Sequence, residues 1–201
     1  RGDIDGLRRP PAEPSPGMNF ATVAPNSEDA VVIPDGYKQA VVIGWGGDPV
    51  LPGAPVFDVT AQTAAAQRRQ FGFNTDYAAL LPIDGTPDRF LLVTSFEYTT
   101  PPQFMFSGYN ADAPTREQYD IEIAAHGLAV VEVERSPPAG LRPVMGRYNR
   151  RVTGDTPMVL TGPGAGSEFV KTAADPDGRT VAGTLNNCGG ALTPWGHCAF
   201  R

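Results

Sequence analysis

Lysine is nearly absent from this 201-residue sequence: only Lys38 and Lys171 stand beside fourteen arginines, and the net charge is −6. Nucleic-acid binding rests on clustered Lys and Arg, so a chain with this balance is not expected to bind a phosphate backbone. Cysteine is scarce too. Cys188 and Cys198 lie ten positions apart, too few for a disulfide framework and wrongly spaced for a Cys-x-x-Cys zinc knuckle. No run approaches the ~20 apolar residues of a membrane span. Arg8-Arg9 is followed by Pro10-Pro11 instead of an apolar stretch, so no targeting signal is read there; an exported protein would be represented by its mature form. Also missing are a Gly-x-Ser-x-Gly elbow, a His-Glu-x-x-His pair and a dinucleotide Gly-x-Gly-x-x-Gly fingerprint. Gly162-Pro163-Gly164-Ala165-Gly166 has no Lys-Ser/Thr after it and is a turn, not a P-loop.

What is present favours a globular, β-rich chain. Hydrophobic residues make up 41% and charged residues 19%, enough for a packed core. Pro (21) and Gly (23) without a Gly-X-Y period imply many short elements joined by turns. Residues 1–29 read as an extended N-terminal arm, and residues 30–201 as folded. Ala30–Ile33 and Gln39–Ile43 predict two strands around the turn Pro34-Asp35-Gly36-Tyr37. Residues 59–70 predict a short helix capped by Asp58. Thr115-Arg116-Glu117-Gln118 is a capping box opening a helix that ends near Gly127. Strands are expected at 90–95, 128–135, 157–161, 168–172 and 180–185. This spacing fits a sandwich, barrel or propeller, and periodicity does not choose among them.

Several residues could carry chemistry. Cys188, in an Asn- and Gly-rich turn, is either a small buried hydrophobe or a thiolate open to a metal. Asn186 and Asn187 beside it offer amide groups, and Trp195 an apolar wall with one N–H donor. Glu97 ends an apolar strand and could present a carboxylate to a hard cation; Asp76 and Asp48 have the same capacity, against the commoner role of solvated turn residues. Arg147-Tyr148-Asn149-Arg150-Arg151 concentrates positive charge, as a phosphate-ester site or as a surface ion-pair cluster. His126 closes the expected helix, where capping is favoured over ligation.

In order along the chain, Trp45–Pro49, Gln70–Tyr77, Phe96-Glu97-Tyr98-Thr99, Ala125-His126-Gly127, Arg147–Thr153, Lys171–Pro176 and Asn186–Gly196 together resemble the PhoX alkaline phosphatases over roughly residues 30–196. The resemblance implies a mainly β fold, part of a β-propeller with a few short helices, of which residues 30–201 are the N-terminal portion. It implies iron and calcium ions as cofactors, a phosphate monoester as substrate, and a periplasmic or secreted location after Tat export. The Cys matching Cys188 is an iron ligand in that family. Asn187 and Trp195 then line the phosphate pocket, and Glu97 and Asp76 are further candidate metal ligands. Mixed thiolate and carboxylate donors suit such a centre. The sequence departs from the family where Ser95-Phe96-Glu97-Tyr98 replaces Asn-His-Glu-Tyr, and it stops short of the family's Cys-Glu-Glu. Further ligands are therefore expected on a remaining segment of the same enzyme or a complementary chain. Two rival readings are a catalytically inactive, propeller-derived binding or structural protein, and another hydrolase such as a phosphodiesterase or lactonase.

Overall fold

The computed structural model describes residues 20–47, 49–138 and 140–201. The expectation for most of the N-terminal arm, residues 1–19, falls outside the described residues, as does Asp48. The chain divides into two compact units, residues up to Ala40 and Val41–Arg201. In the first, the Tyr37 N–H donates to the Pro34 carbonyl (3.1 Å), so the expected turn is present. Phe20 and Tyr37 meet edge to face at 5.4 Å. The flanking strands expected at Ala30–Ile33 and Gln39–Ile43 do not form. Gln39 Nε2 donates instead to the Val31 carbonyl (3.0 Å), occupying an acceptor that a ladder would use.

The second unit is built on antiparallel pairing. Strands β1 (Thr75–Ile83), β2 (Thr86–Phe96), β3 (Gly127–Ser136) and β4 (Gly140–Val144) lie in that order. Strand β5 (Arg150–Val152) shares the β4 edge of β3: β4 pairs along Glu132–Ser136 and β5 along Leu128–Val130. Two of the three outer strands carry a proline, Pro82 in β1 and Pro143 in β4. The β1–β2 hairpin turns at Asp84-Gly85, with Gly85 at φ +75°, a conformation that costs glycine little. On β3, Ala129, Val131 and Val133 alternate inward and pack with Val50, Phe71 and Phe96. Fully burying side chains of this kind contributes roughly 1.5–3 kcal/mol each.

Helix α1 is shorter than expected, Ala64–Gln67, and its cap is Thr63, not Asp58. Asp58 Oδ1 accepts from the Thr60 amide (2.8 Å) and hydroxyl (2.7 Å), a local turn that competes with helix. Beyond α1, Gln67 and Gln70 are drawn into a buried amide network. Trp45 Nε1 donates to Gln67 Oε1 (2.7 Å), and Gln62 Nε2 bridges Gln67 Oε1 and Gln70 Oε1. Helix α2 (Arg116–Ala125) has the expected capping box, and its Glu117 accepts from the Ala64 N–H (2.8 Å), joining the two helix starts. A second apolar cluster, Ala64, Met105, Ile121 and Ala125, fills the space between them.

Two ribbons complete the described elements: β6 (Pro157–Val159) with β7 (Thr180–Ala182), and β8 (Gly190–Leu192) with β9 (Cys198–Phe200). The strand expected at 168–172 is instead a single 3₁₀ turn, Glu168–Val170.

Candidate metal and phosphate site

Asp76 and Glu97 come together because of the sheet. Thr75 pairs with Phe96 at the open end of the β1–β2 ladder, so the next residue of β1 and the residue leaving β2 share one end. Asn74 fixes this corner. It adopts a left-handed φ of +57°, which Asn tolerates better than most residues, and its carbonyl accepts the Glu97 N–H at 3.1 Å. Glu97's carboxyl is pushed above the usual carboxylate range, first by desolvation, then by the charge of Asp76 and a hydrogen bond to it. Two carboxylates held this closely repel when both are ionised, a cost that a cation between them would relieve. Asn74 Nδ2 is buried at the same corner with no protein partner. Sequence reasoning passed over Asn74; the signal available was an Asn directly before a strand, where left-handed backbone is common.

Cys188 lies at the base of the β8–β9 ribbon, half-buried and unpaired, its N–H donating to the Arg201 carbonyl (3.0 Å). Asn186 is left-handed (φ +56°), and the buried Asn187 accepts the Thr184 hydroxyl through Oδ1 (2.7 Å). The ribbon is seated beside the carboxylate pair. A Cβ on Gly190 would lie 2.6 Å from the Tyr77 ring, and Tyr77 meets Phe200 edge to face at 5.6 Å. Tyr77 directly follows Asp76, so the three candidate ligand segments are neighbours. They do not close into a centre: among the described residues, no three His, Cys, Asp or Glu side chains converge. The carboxylate pair thus fits a hard cation in donor type.

The other candidates are dispersed. Trp195, 72% exposed, sits in the turn at the ribbon's far end. At ~3.3 Å per residue this is roughly 15 Å from Cys188. His126 Nδ1 contacts the Glu122 carbonyl (2.7 Å), in keeping with closure of α2. Gly162–Gly166 is a turn, with the Ala165 N–H on the Gly162 carbonyl (3.2 Å).

The arginine cluster is spent on structure. Arg147 stacks on Tyr148 (4.5 Å to the centroid), and Arg150 donates to the Tyr148 carbonyl. Arg151 is buried, which overturns its reading as part of a surface or phosphate-binding cluster. Its guanidinium donates to the carbonyls of Gln70, Ala124, His126, Leu128 and Val152 and lies 4.7 Å from the centroid of Phe96. Burial pushes it down to about 9, still protonated at neutral pH. Arg68 and Asp155 pair beside it. The Arg68 hydrogen bond, with help from the Thr153 hydroxyl, holds the Asp155 carboxyl below its ordinary value against partial burial.

Comparison with known proteins places these features in a family. The profile of the alkaline phosphatase PhoX family matches residues 18–198. Among solved structures, Pseudomonas fluorescens PhoX in complex with vanadate, a transition state analogue, is similar at 36% identity and a TM-score of 0.80. The match covers 88% of this chain and 30% of that one, so the chain spans under a third of that protein's length. None of the curated proteins matches the chain. The fold expectation is met: a mainly β chain with antiparallel sheets, similar to a propeller-like structure.

Proposed function

Because the chain belongs to the alkaline phosphatase PhoX family, we propose that it is part of a metal-dependent phosphomonoesterase. The observation that carries this reading is the Asp76–Glu97 pair, held at one sheet corner next to the ribbon that bears Cys188. In this reading Asp76 and Glu97 bind calcium or iron, Cys188 is a thiolate ligand of iron, and the remaining ligands come from the rest of a longer protein. Bound metal ions supply polarisation of the phosphoryl oxygens and stabilise the charge that develops during transfer. Asn187, its Oδ1 held by Thr184, presents its Nδ2 as a donor to a phosphoryl oxygen. Trp195, in the turn of the same ribbon, is the second residue that lines the phosphate pocket in this reading. The protein works in the periplasm or outside the cell, where phosphate esters are scavenged, after Tat export.

The test is hydrolysis of p-nitrophenyl phosphate by the full-length protein. Cys188→Ala, Glu97→Gln and removal of iron each lower kcat at least a hundredfold; full activity in Cys188→Ala overturns the reading. A second reading, a propeller-derived binding protein without catalysis, is favoured by Phe96 standing where the family has a His. Elemental analysis separates the two: well-folded full-length protein without iron or calcium supports the second.

A further inference from the structure

We propose that Glu122, in the last turn of α2, is a positioning residue for Glu97: its carboxylate holds Thr99 through one oxygen and the Asn74 amide through the other. The inference rests on the reading of Glu97 as a cation ligand above. Three segments meet at this corner. The Phe73 N–H donates to the Ala125 carbonyl (3.1 Å), tying the residue before Asn74 to the end of α2. The approach is tight, for a Cβ on Gly72 would lie 2.5 Å from the Ala125 carbonyl oxygen and 2.4 Å from the Phe96 ring. The Asn74 carbonyl accepts the Glu97 N–H (3.1 Å). Two residues on, the buried Thr99 donates its hydroxyl to Glu122 Oε2 (3.1 Å). Glu97 is thus anchored at its own amide and again just beyond it.

Two atoms show that this clamp has one more bond to make. Asn74 Nδ2 and Glu122 Oε1 are buried side-chain atoms with no hydrogen-bond partner among the described residues. One is a donor and the other an acceptor, and both belong to side chains of this junction. Leaving either unpaired is costly, and folded proteins rarely do so. A direct bond between them, or one bridging water, satisfies both at once. Glu122 then reaches from α2 to both segments that carry the carboxylate pair: Asn74 lies two residues before Asp76, and Thr99 two residues after Glu97. Groups that orient a metal-binding side chain without touching the metal govern how well it binds.

The test uses the full-length protein stripped of metal with a chelator. Terbium ions, a luminescent probe of calcium-type sites, are titrated into it, and hydrogen exchange of the peptide containing the Glu97 amide is followed by mass spectrometry. Glu122→Leu is expected to weaken terbium binding roughly ten- to a hundredfold and to speed exchange at the Glu97 amide. Asn74→Gly keeps the left-handed backbone, removes the side-chain amide and acts in the same direction. The double variant loses no more than Glu122→Leu alone. Glu122→Gln restores both readouts, because Gln still accepts from Thr99 and its amide pairs with a turned-over Asn74 amide. A merely structural role would lower Tm and leave the terbium affinity of the folded protein unmoved. Should Glu122→Leu fail to fold, Thr99→Val opens the clamp on its other side and is read in the same way. The proposal is overturned if exchange at Glu97 is unchanged in Glu122→Leu, or if Glu97→Gln weakens terbium binding and Glu122→Leu does not. It is also overturned if Glu122→Gln loses as much as Glu122→Leu, which would make Glu122 a direct ligand, or if the losses in the double variant add fully. Terbium binding unchanged in Glu97→Gln, with the exchange pattern as expected, keeps the clamp and sinks the cation reading alone.

Discussion

Replacing Arg151 with Met should be among the most damaging single changes in this chain. The guanidinium joins five main-chain carbonyls drawn from the segment before β1, the end of α2, the start of β3 and β5. Met preserves much of the volume but donates nothing, so several buried carbonyls lose a partner at once. Each orphaned group costs about 1–3 kcal/mol, yet water entry and relaxation keep such losses from adding fully. Breaking a buried charged network typically costs about 3–5 kcal/mol, and we expect that range here. At roughly 2–4 °C per kcal/mol for a chain of this size, Tm falls by about 6–20 °C. Arg151→Lys keeps the charge but not the planar fork, and recovers less than half of the loss. Urea unfolding of the purified protein measures both variants. A loss below about 1 kcal/mol for Arg151→Met refutes the argument, because it means that the carbonyls find other partners. A double-mutant cycle with Phe96→Leu should return a coupling of about 0.5–2 kcal/mol from the cation–π contact.

Other expectations follow from single contacts. Gly127→Ala should destabilise by about 1–3 kcal/mol, since φ is +99° and the new Cβ would lie 2.1 Å from the Val152 carbonyl oxygen; a urea midpoint equal to that of the unsubstituted protein counts against it. Thr115→Ala removes the cap of α2 and should cost about 1 kcal/mol, read from thermal unfolding. Asp155 contributes stability that is fully present above its ordinary value of 3.8 and is lost as pH falls through its lowered folded value. Asp155→Asn should therefore be less stable at neutral pH, and its deficit should vanish in strong acid; a deficit that does not change with pH refutes the assignment.

Much of this architecture was legible from residue types, and the exceptions have definite causes. The capping box at Thr115 and the apolar alternation of β3 act locally, so they read directly. The β1–β2 hairpin also has a local signal, Asp84-Gly85 between apolar runs. The failed strands near residues 30–43 had suitable β-branched residues but no partner, and strand formation is a property of pairs. Helix α1 lost its first turn to the Asp58–Thr60 contact and its last to the glutamine network, both outcomes of side-chain geometry that helix propensity does not contain. Arg151 looked like one more cation in a cluster; its burial depends on five carbonyls brought together only by the tertiary fold.

The candidate site was legible as residue types and not as an assembly. Asp76 and Glu97 meet because of a register that places Thr75 opposite Phe96, which no local pattern encodes. The departure at Phe96 also changes meaning. That side chain is fully buried in the core beneath Arg151, while Glu97 lies at the partly exposed sheet corner. Alternate residues of a strand face opposite sides, so the substitution falls on the packing side and leaves the carboxylate's surroundings in place.

The prolines in the outer strands β1 and β4 of the main sheet bear on how the protein behaves when crowded. An unpaired strand edge is a template on which other chains can add, and proline denies it a backbone donor. With Pro82 in β1 on one side and Pro143 in β4 on the other, both long margins of the sheet carry a block against fibre-like growth, and only the three-residue β5 lacks one. A concentrated or partly unfolded preparation should therefore aggregate through its short ribbons first, and engineering for solubility is best directed there, with the sheet left untouched.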